Sequence, residues 1–170
     1  MSTVRMTNNG HGSSARWLES FPPRLASAHE ARQKATAAVQ KVDLDADTVS
    51  AVEIVVGELV ANAVRHAKTP FIVAVTVEDG VVRIEVFDRD ARTPALVRVA
   101  ALSSRGRGLH IVSGFSSEWG WHTTRNHAGV SGKVVWAELR PSIARGRGID
   151  HRGPQRLSVG GRAALPGTSS

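Results

Sequence analysis

Two apolar runs separated by little more than Asp79-Gly80, at residues 71–77 and Val81–Asp88, constrain this chain more than any other feature. A short turn signal between two such runs reads as a β-hairpin. In the second run Val82, Ile84, Val86 and Asp88 share one face by period two, while Arg83, Glu85 and Phe87 share the other. Asp88 therefore projects from the same side as three aliphatic residues.

What precedes the hairpin is helical. Val49, Val52, Val56, Leu59, Val60, Ala63 and Val64 recur at helical spacing and predict a long helix over residues 47–67, capped by Asp45 or Asp47. Ser27-Ala28-His29-Glu30 is a capping-box pattern and predicts an earlier helix from there to Gln40. Arg16-Trp17-Leu18-Glu19-Ser20-Phe21, stopped by Pro22-Pro23, predicts a short strand. After the hairpin, residues 89–107 read as an irregular loop. A short helix follows over 109–115, then strands over 118–123 and 133–139. This order describes an α+β fold: a two-layer sandwich with a mostly antiparallel, mixed sheet and its helices on one face.

Composition sets the outer limits. The chain has 170 residues and no cysteine, so disulfides, thiolate metal sites and thiol catalysis are excluded. No window reaches the ~18 apolar residues of a membrane span, and the polar first fifteen residues do not read as a signal peptide. By elimination the expected location is cytoplasmic. The formal net charge of +7 is uneven: residues 140–170 hold six arginines against Asp150 alone, and residues 16–139 come to about neutral. The expected organisation is a disordered arm at 1–15, an ordered domain at 16–140 and a disordered basic tail at 141–170. The near-neutral domain, which lacks tyrosine, offers little platform for bases, and no direct nucleic-acid binding is expected.

Three groups of residues can carry chemistry. Glu58 and Asn62 stand four apart on the long helix and emerge on one side. An amide oxygen is a hard ligand for Mg2+, and a carboxylate can orient a water or take a proton. Taken alone, such a pair is the ordinary polar face of a helix. Asp88 needs hydrogen-bond donors if it is buried; the amino group of adenine is one, and a surface arginine is another. Arg105-Gly106-Arg107-Gly108-Leu109 opens a helix directly after a loop, where backbone amides and the helix terminus favour an anion. A plain loop-to-helix joint is the commonest meaning of such a segment.

Their order and spacing carry more. Glu58-Leu59-Val60-Ala61-Asn62-Ala63-Val64-Arg65-His66-Ala67 on a helix, Asp88 ending a strand and Gly106-Arg107-Gly108-Leu109 opening a helix resemble the three signature boxes of the GHKL (gyrase and histidine-kinase-like) ATPases. The stretch from Val56 through Ala67, the ending Gly132-Lys133-Val134-Val135-Trp136-Ala137-Glu138-Leu139, and Phe21-Pro22-Pro23 look especially like the small anti-sigma-factor serine/threonine kinases. The resemblance implies ATP and Mg2+ as cofactors. Asn62 would bind the metal, Glu58 would act as general base, and Asp88 would accept from adenine. Arg105, Gly106, Arg107, Gly108 and Leu109 would form the phosphate-binding segment, with residues 89–105 as a lid. It further implies two protein partners, a sigma factor and an antagonist protein, and is compatible with a homodimer. His66 matches a histidine common in the small kinases.

The resemblance is not complete. The family's second box continues Asp-x-Gly-x-Gly, whereas here it reads Asp88-Arg89-Asp90-Ala91-Arg92. Where the family often has a threonine beside the aspartate, this chain offers Val134. These departures motivate an alternative: a partner-binding module of the same fold with a weak or lost nucleotide site.

Overall fold

The computed structural model describes residues 3–8, 13–90, 107–126 and 128–140. In chain order they form β1 (Thr3–Asn8), β2 (Ser13–Phe21), α1 (Leu25–Val39) and α2 (Ala46–Asn62), the last running on into a π-helical turn (Ala63–Ala67). Then come β3 (Phe71–Glu78), β4 (Val81–Asp88), α3 (Arg107–Phe115), β5 (Glu118–Arg125) and β6 (Ser131–Leu139). The strands make one six-stranded sheet in the order β1-β2-β3-β4-β6-β5. Each neighbouring pair is antiparallel, so the described sheet has no parallel pairing and is not mixed.

The β3–β4 hairpin turns on Asp79 and Gly80, both with positive φ (50° and 76°), as a two-residue turn matched to strand twist requires. Its inward face is the alternation read from sequence. Val73 pairs with Val86, Val75 with Ile84 and Val77 with Val82, and all six are buried. The face continues through Trp17 and Phe21 of β2 and through Val135, Ala137 and Leu139 of β6. Against it pack Ala31, Ala35 and Val39 of α1, and Val52, Val56 and Leu59 of α2. This is the two-layer α+β sandwich, helices on one face. On the opposite face Arg83 lies over the Trp136 ring at 4.4 Å and binds Glu85 at 3.0 Å and Glu138 at 2.7 Å.

Three local features differ from the sequence reading. Thr3–Asn8, expected within an arm without order, pairs with β2 along Thr3↔Leu18 to Asn8↔Ser13. A β2 edge left bare would leave backbone donors and acceptors without a ladder, and the segment contains neither Gly nor Pro to prevent pairing. The capping box at Ser27 is not used: α1 starts at Leu25 after Arg24, which makes no side-chain cap bond. Ser27 is buried in the first turn, and Glu30 instead pairs with Lys34 at 2.8 Å. Lys34 also reaches Glu19 on the inner face of β2 at 2.6 Å, so the helix start is set by tertiary packing and an ion pair across the layers. Finally, α2 loses α geometry after Asn62. The π turn, a form frequent at functional sites, ends at Lys68 in left-handed conformation (φ 51°). Of the two proposed caps Asp45 is the one used: its carboxylate accepts from the Thr48 N–H at 2.7 Å and from the Thr48 hydroxyl at 2.6 Å.

Candidate functional site

The start of α3 lies on the end of α2, and the end of β4 faces the start of β6; the described members of the singled-out residues stand at these two places. Glu58 and Asn62 occupy the last turns of α2 and are half-buried, while their neighbours Leu59 and Val60 are buried in the core. The apolar face of the helix is therefore anchored, and the polar pair stands at the edge of the layer.

The first turn of α3 lies against that pair. Leu109 and Val112 are buried and hold the helix to the core. Gly108 comes so close that a β-carbon there would stand 2.7 Å from Glu58 Oε2, 3.4 Å from Asn62 Nδ2 and 3.5 Å from Asn62 Oδ1. A side chain there would push the flexible end of Glu58 aside. The result is a helix N-terminus whose backbone abuts a carboxylate and an amide oxygen. That donor set suits a hard cation together with an anion it neutralises, and magnesium polyphosphate is such a pair. Among the described residues no cluster of three or more His, Cys, Asp or Glu side chains stands ready to hold a metal. Magnesium typically keeps substrate phosphates among its ligands and needs no such cage. Arg107 opens α3. Arg105 and Gly106 lie outside the described residues, as do 91–105 of the expected lid and residues 141–170 of the expected tail.

Asp88 ends β4 on the inner face and is 3% exposed, as its alternation predicts. Its partner is one that sequence reasoning missed. Lys133, across the ladder on β6, donates to Asp88 Oδ1 at 2.7 Å; the two side chains are 7% and 4% exposed. Lys133 also donates to the Asp90 carbonyl at 2.7 Å, and the Asp90 N–H donates to the same Asp88 oxygen at 2.8 Å. The residue beside Asp88 is thus Lys133 and not Val134, which pairs with Phe87 in the adjacent register position. Both donors fall on Oδ1, so the Lys133 ammonium takes one oxygen of the carboxylate that the resemblance turns towards adenine. The residues at the end of α2 and the start of α3 fit magnesium and polyphosphate, and at Asp88 the oxygen Oδ2 is left as the acceptor for a base amino group.

Gly132, next to Lys133, fixes this register. A β-carbon there would collide with the Asp88 carbonyl oxygen and come within 2.8 Å of the Phe87 ring. His66 sits in the π turn and is exposed. The Arg89 N–H donates to Thr69 Oγ1 at 3.3 Å and ties the end of β4 to the segment after that turn.

An α+β sandwich with a carboxylate–amide pair under a helix N-terminus defines the class, and the family follows. A family model for the histidine kinase-like ATPase domain matches residues 21–138, and the chain belongs to that family. The domain is thus of an ATP-binding kind. A comparison with curated proteins finds no significant match. Among solved structures the chain is similar to the RsbU and RsbW domains of Rv1364c from Mycobacterium tuberculosis, with 19% identity and a TM-score of 0.51. The likeness covers 72% of this chain and 32% of that one, so this chain spans about a third of that length. At such identity the likeness shows the fold.

Proposed function

We propose that the chain is an ATP-binding anti-sigma regulatory factor: a serine/threonine protein kinase that holds a sigma factor inactive and phosphorylates a small antagonist protein. The observation that carries this reading is the seat of Gly108 on Glu58 and Asn62. In it the Asn62 amide oxygen would hold Mg2+ and the backbone at Arg107 and Gly108 would meet the phosphates, a role that the resemblance extends to Arg105 and Gly106. Bound magnesium neutralises phosphate charge and so favours attack on the γ-phosphate. Glu58 orients the attacking serine hydroxyl and takes its proton. The family match and the likeness to the Rv1364c fold support the kinase type; the partners rest on the resemblance of the Glu58–Ala67 stretch to the small anti-sigma kinases.

The test is phosphate transfer. The purified chain, incubated with Mg-ATP and the antagonist-type proteins of its own genome, should place phosphate on a serine of one of them, as read by mass spectrometry. Glu58→Ala should abolish transfer and leave binding of that antagonist intact. If no antagonist acquires phosphoserine while one still binds the chain, the kinase reading fails.

One observation favours a second reading, a partner-binding module with a weak nucleotide site: the buried Lys133 ammonium already binds one oxygen of the carboxylate that the resemblance assigns to adenine. This module would bind its partners with equal affinity whether or not nucleotide is present.

A further inference from the structure

We propose that the end of the sheet where β2 and β4 finish and β3 begins is a docking surface for an acidic protein segment, with an apolar side chain of that segment seated on Leu25. The proposal deepens the reading above by giving its protein partner a chemistry, and it does not require that phosphate be transferred.

Leu25 is 80% exposed, the most open of the large apolar side chains among the described residues. It begins α1 just after the chain leaves β2 at Phe21. Ser27, Ala31 and Ala35 carry the packing of that helix, so the fold makes no use of an apolar side chain at Leu25. One exposed leucine is ordinary on a protein surface. Its surroundings are not.

Arg24, Arg65, Lys68 and Arg89 stand at the same end of the sheet. Arg24 precedes Leu25 in the chain. Phe21 pairs with Phe71, so the segment ahead of β3, which holds Lys68, emerges beside the segment that leaves β2. Ile72 pairs with Phe87, and the Arg89 N–H donates to Thr69 Oγ1 at 3.3 Å, which sets Arg89 on the other side of the same segment. Arg65 lies in the π turn that leads from α2 to Lys68. The three strand ends span about 10 Å across the sheet. All four cationic residues are exposed, and among the described residues none of them is in an ion pair.

No carboxylate at this end is open to balance them. Asp88 and Asp90 face Lys133, and Glu58 is half-buried against Gly108. The balancing acids stand at the other end of the layer, where Asp43 and Asp47 flank the start of α2 and Glu78 and Asp79 lie at the β3–β4 turn; all four are exposed. The near-neutral total of residues 16–139 is therefore the sum of a cationic end and an anionic end.

A nucleotide would account for the cations but gains nothing from an exposed leucine. A protein surface that carries Asp or Glu around one apolar side chain satisfies both. The apolar contact excludes water from Leu25, and ion pairs beside it gain strength as the local dielectric falls. Position agrees as well. Arg65 stands three residues after Asn62, so a partner held here arrives at the end of α2 where Gly108 meets Glu58.

The experiment is a calorimetric titration of the full chain with each purified antagonist-type and sigma-type protein of its own genome, and separately with Mg-ATP. It uses the natural chain, Arg24→Glu combined with Lys68→Glu, Leu25→Ala, and, at the opposite end, Asp43→Lys combined with Glu78→Lys. Thermal melts show that each is folded. At least one of the proteins should bind the natural chain. Reversal of Arg24 and Lys68 should weaken that binding by about tenfold or more, and Leu25→Ala by about fivefold, while Mg-ATP stays within about threefold. The pair at the opposite end should leave the partner within about threefold. The proposal is overturned if none of these proteins binds the natural chain, or if either change at the cationic end leaves the partner's affinity within about threefold. It is overturned equally if Mg-ATP is lost in step with the partner, which would make these cations part of the nucleotide site. The kinase reading fails separately: a partner that binds through Arg24, Leu25 and Lys68 yet gains no phosphoserine from Mg-ATP contradicts phosphate transfer and leaves the docking surface standing.

Discussion

A methyl group added at Gly108 would meet the flexible end of Glu58, whereas one added at Gly132 would meet the fixed carbonyl of Asp88. The two glycines should therefore fail in different ways. Gly108→Ala lets Glu58 rotate aside, and alanine favours a helix, so stability should hold in a thermal melt. The displaced carboxylate and the filled approach should weaken Mg-nucleotide binding by about tenfold in a calorimetric titration. Gly132→Ala has no such escape, because backbone on β4 must move; denaturant unfolding should show a loss of about 3 kcal/mol. Residues also mark where sequence reading stops. Asp88 was legible as an inward carboxylate from period two alone. Lys133 carried a signal too: on β6 it is the one charged member of the inward series Lys133, Val135, Ala137, Leu139, and a charge on such a face calls for a partner. Which partner it has depends on the β4–β6 register. Those strands are not consecutive in the chain, so no turn sets their pairing, and sequence spacing leaves it open.

At the scale of elements, the hairpin and α2 were legible because local chemistry and tertiary packing agree there. The Asp79-Gly80 turn suits the strand twist, and the apolar stripe of α2 is the face that packs. Where the two compete, packing wins. Ser27 has the capping chemistry, yet α1 begins earlier because Ala31, Ala35 and Val39 must face the sheet and Lys34 must reach Glu19. No sequence signal announced the π turn after Asn62, since α and π turns draw on the same residues. The cap of α2 gives a pH test. Hydrogen bonds from the Thr48 hydroxyl, then from the Thr48 N–H, hold the Asp45 carboxyl below the ordinary aspartate range. A folded pKa below the unfolded one means that the cap's contribution is complete above about pH 4 and fades as pH falls through the folded value. Asp45→Asn keeps a capping oxygen and removes the titration, so its stability should fall less steeply than that of the natural chain between about pH 4 and pH 2. Asp45→Ala should be less stable than both at neutral pH. Identical acid limbs for the natural chain and Asp45→Asn would show that this cap does not couple to folding.

At the scale of the whole molecule, fold and family were legible because three boxes in the right order occupy a chain whose helix and strand periods also fit one sandwich. Thr3–Asn8 was not, because six residues of edge strand carry too short a pattern to stand out from a polar segment. Charge adds a boundary on function: with the +7 gathered chiefly at residues 140–170, residues 16–139 carry little net charge with which to draw in polyanions from a distance. The proposed affinity for nucleotide is then local, and centres on the seat that Gly108 makes with Glu58 and Asn62. The most direct test of that claim is a calorimetric titration of the natural chain with ATP in magnesium, beside Asn62→Ala. Binding should be saturable and should weaken by about tenfold or more in the variant. Absence of binding up to about millimolar ATP, or equal affinity in the two proteins, would contradict it.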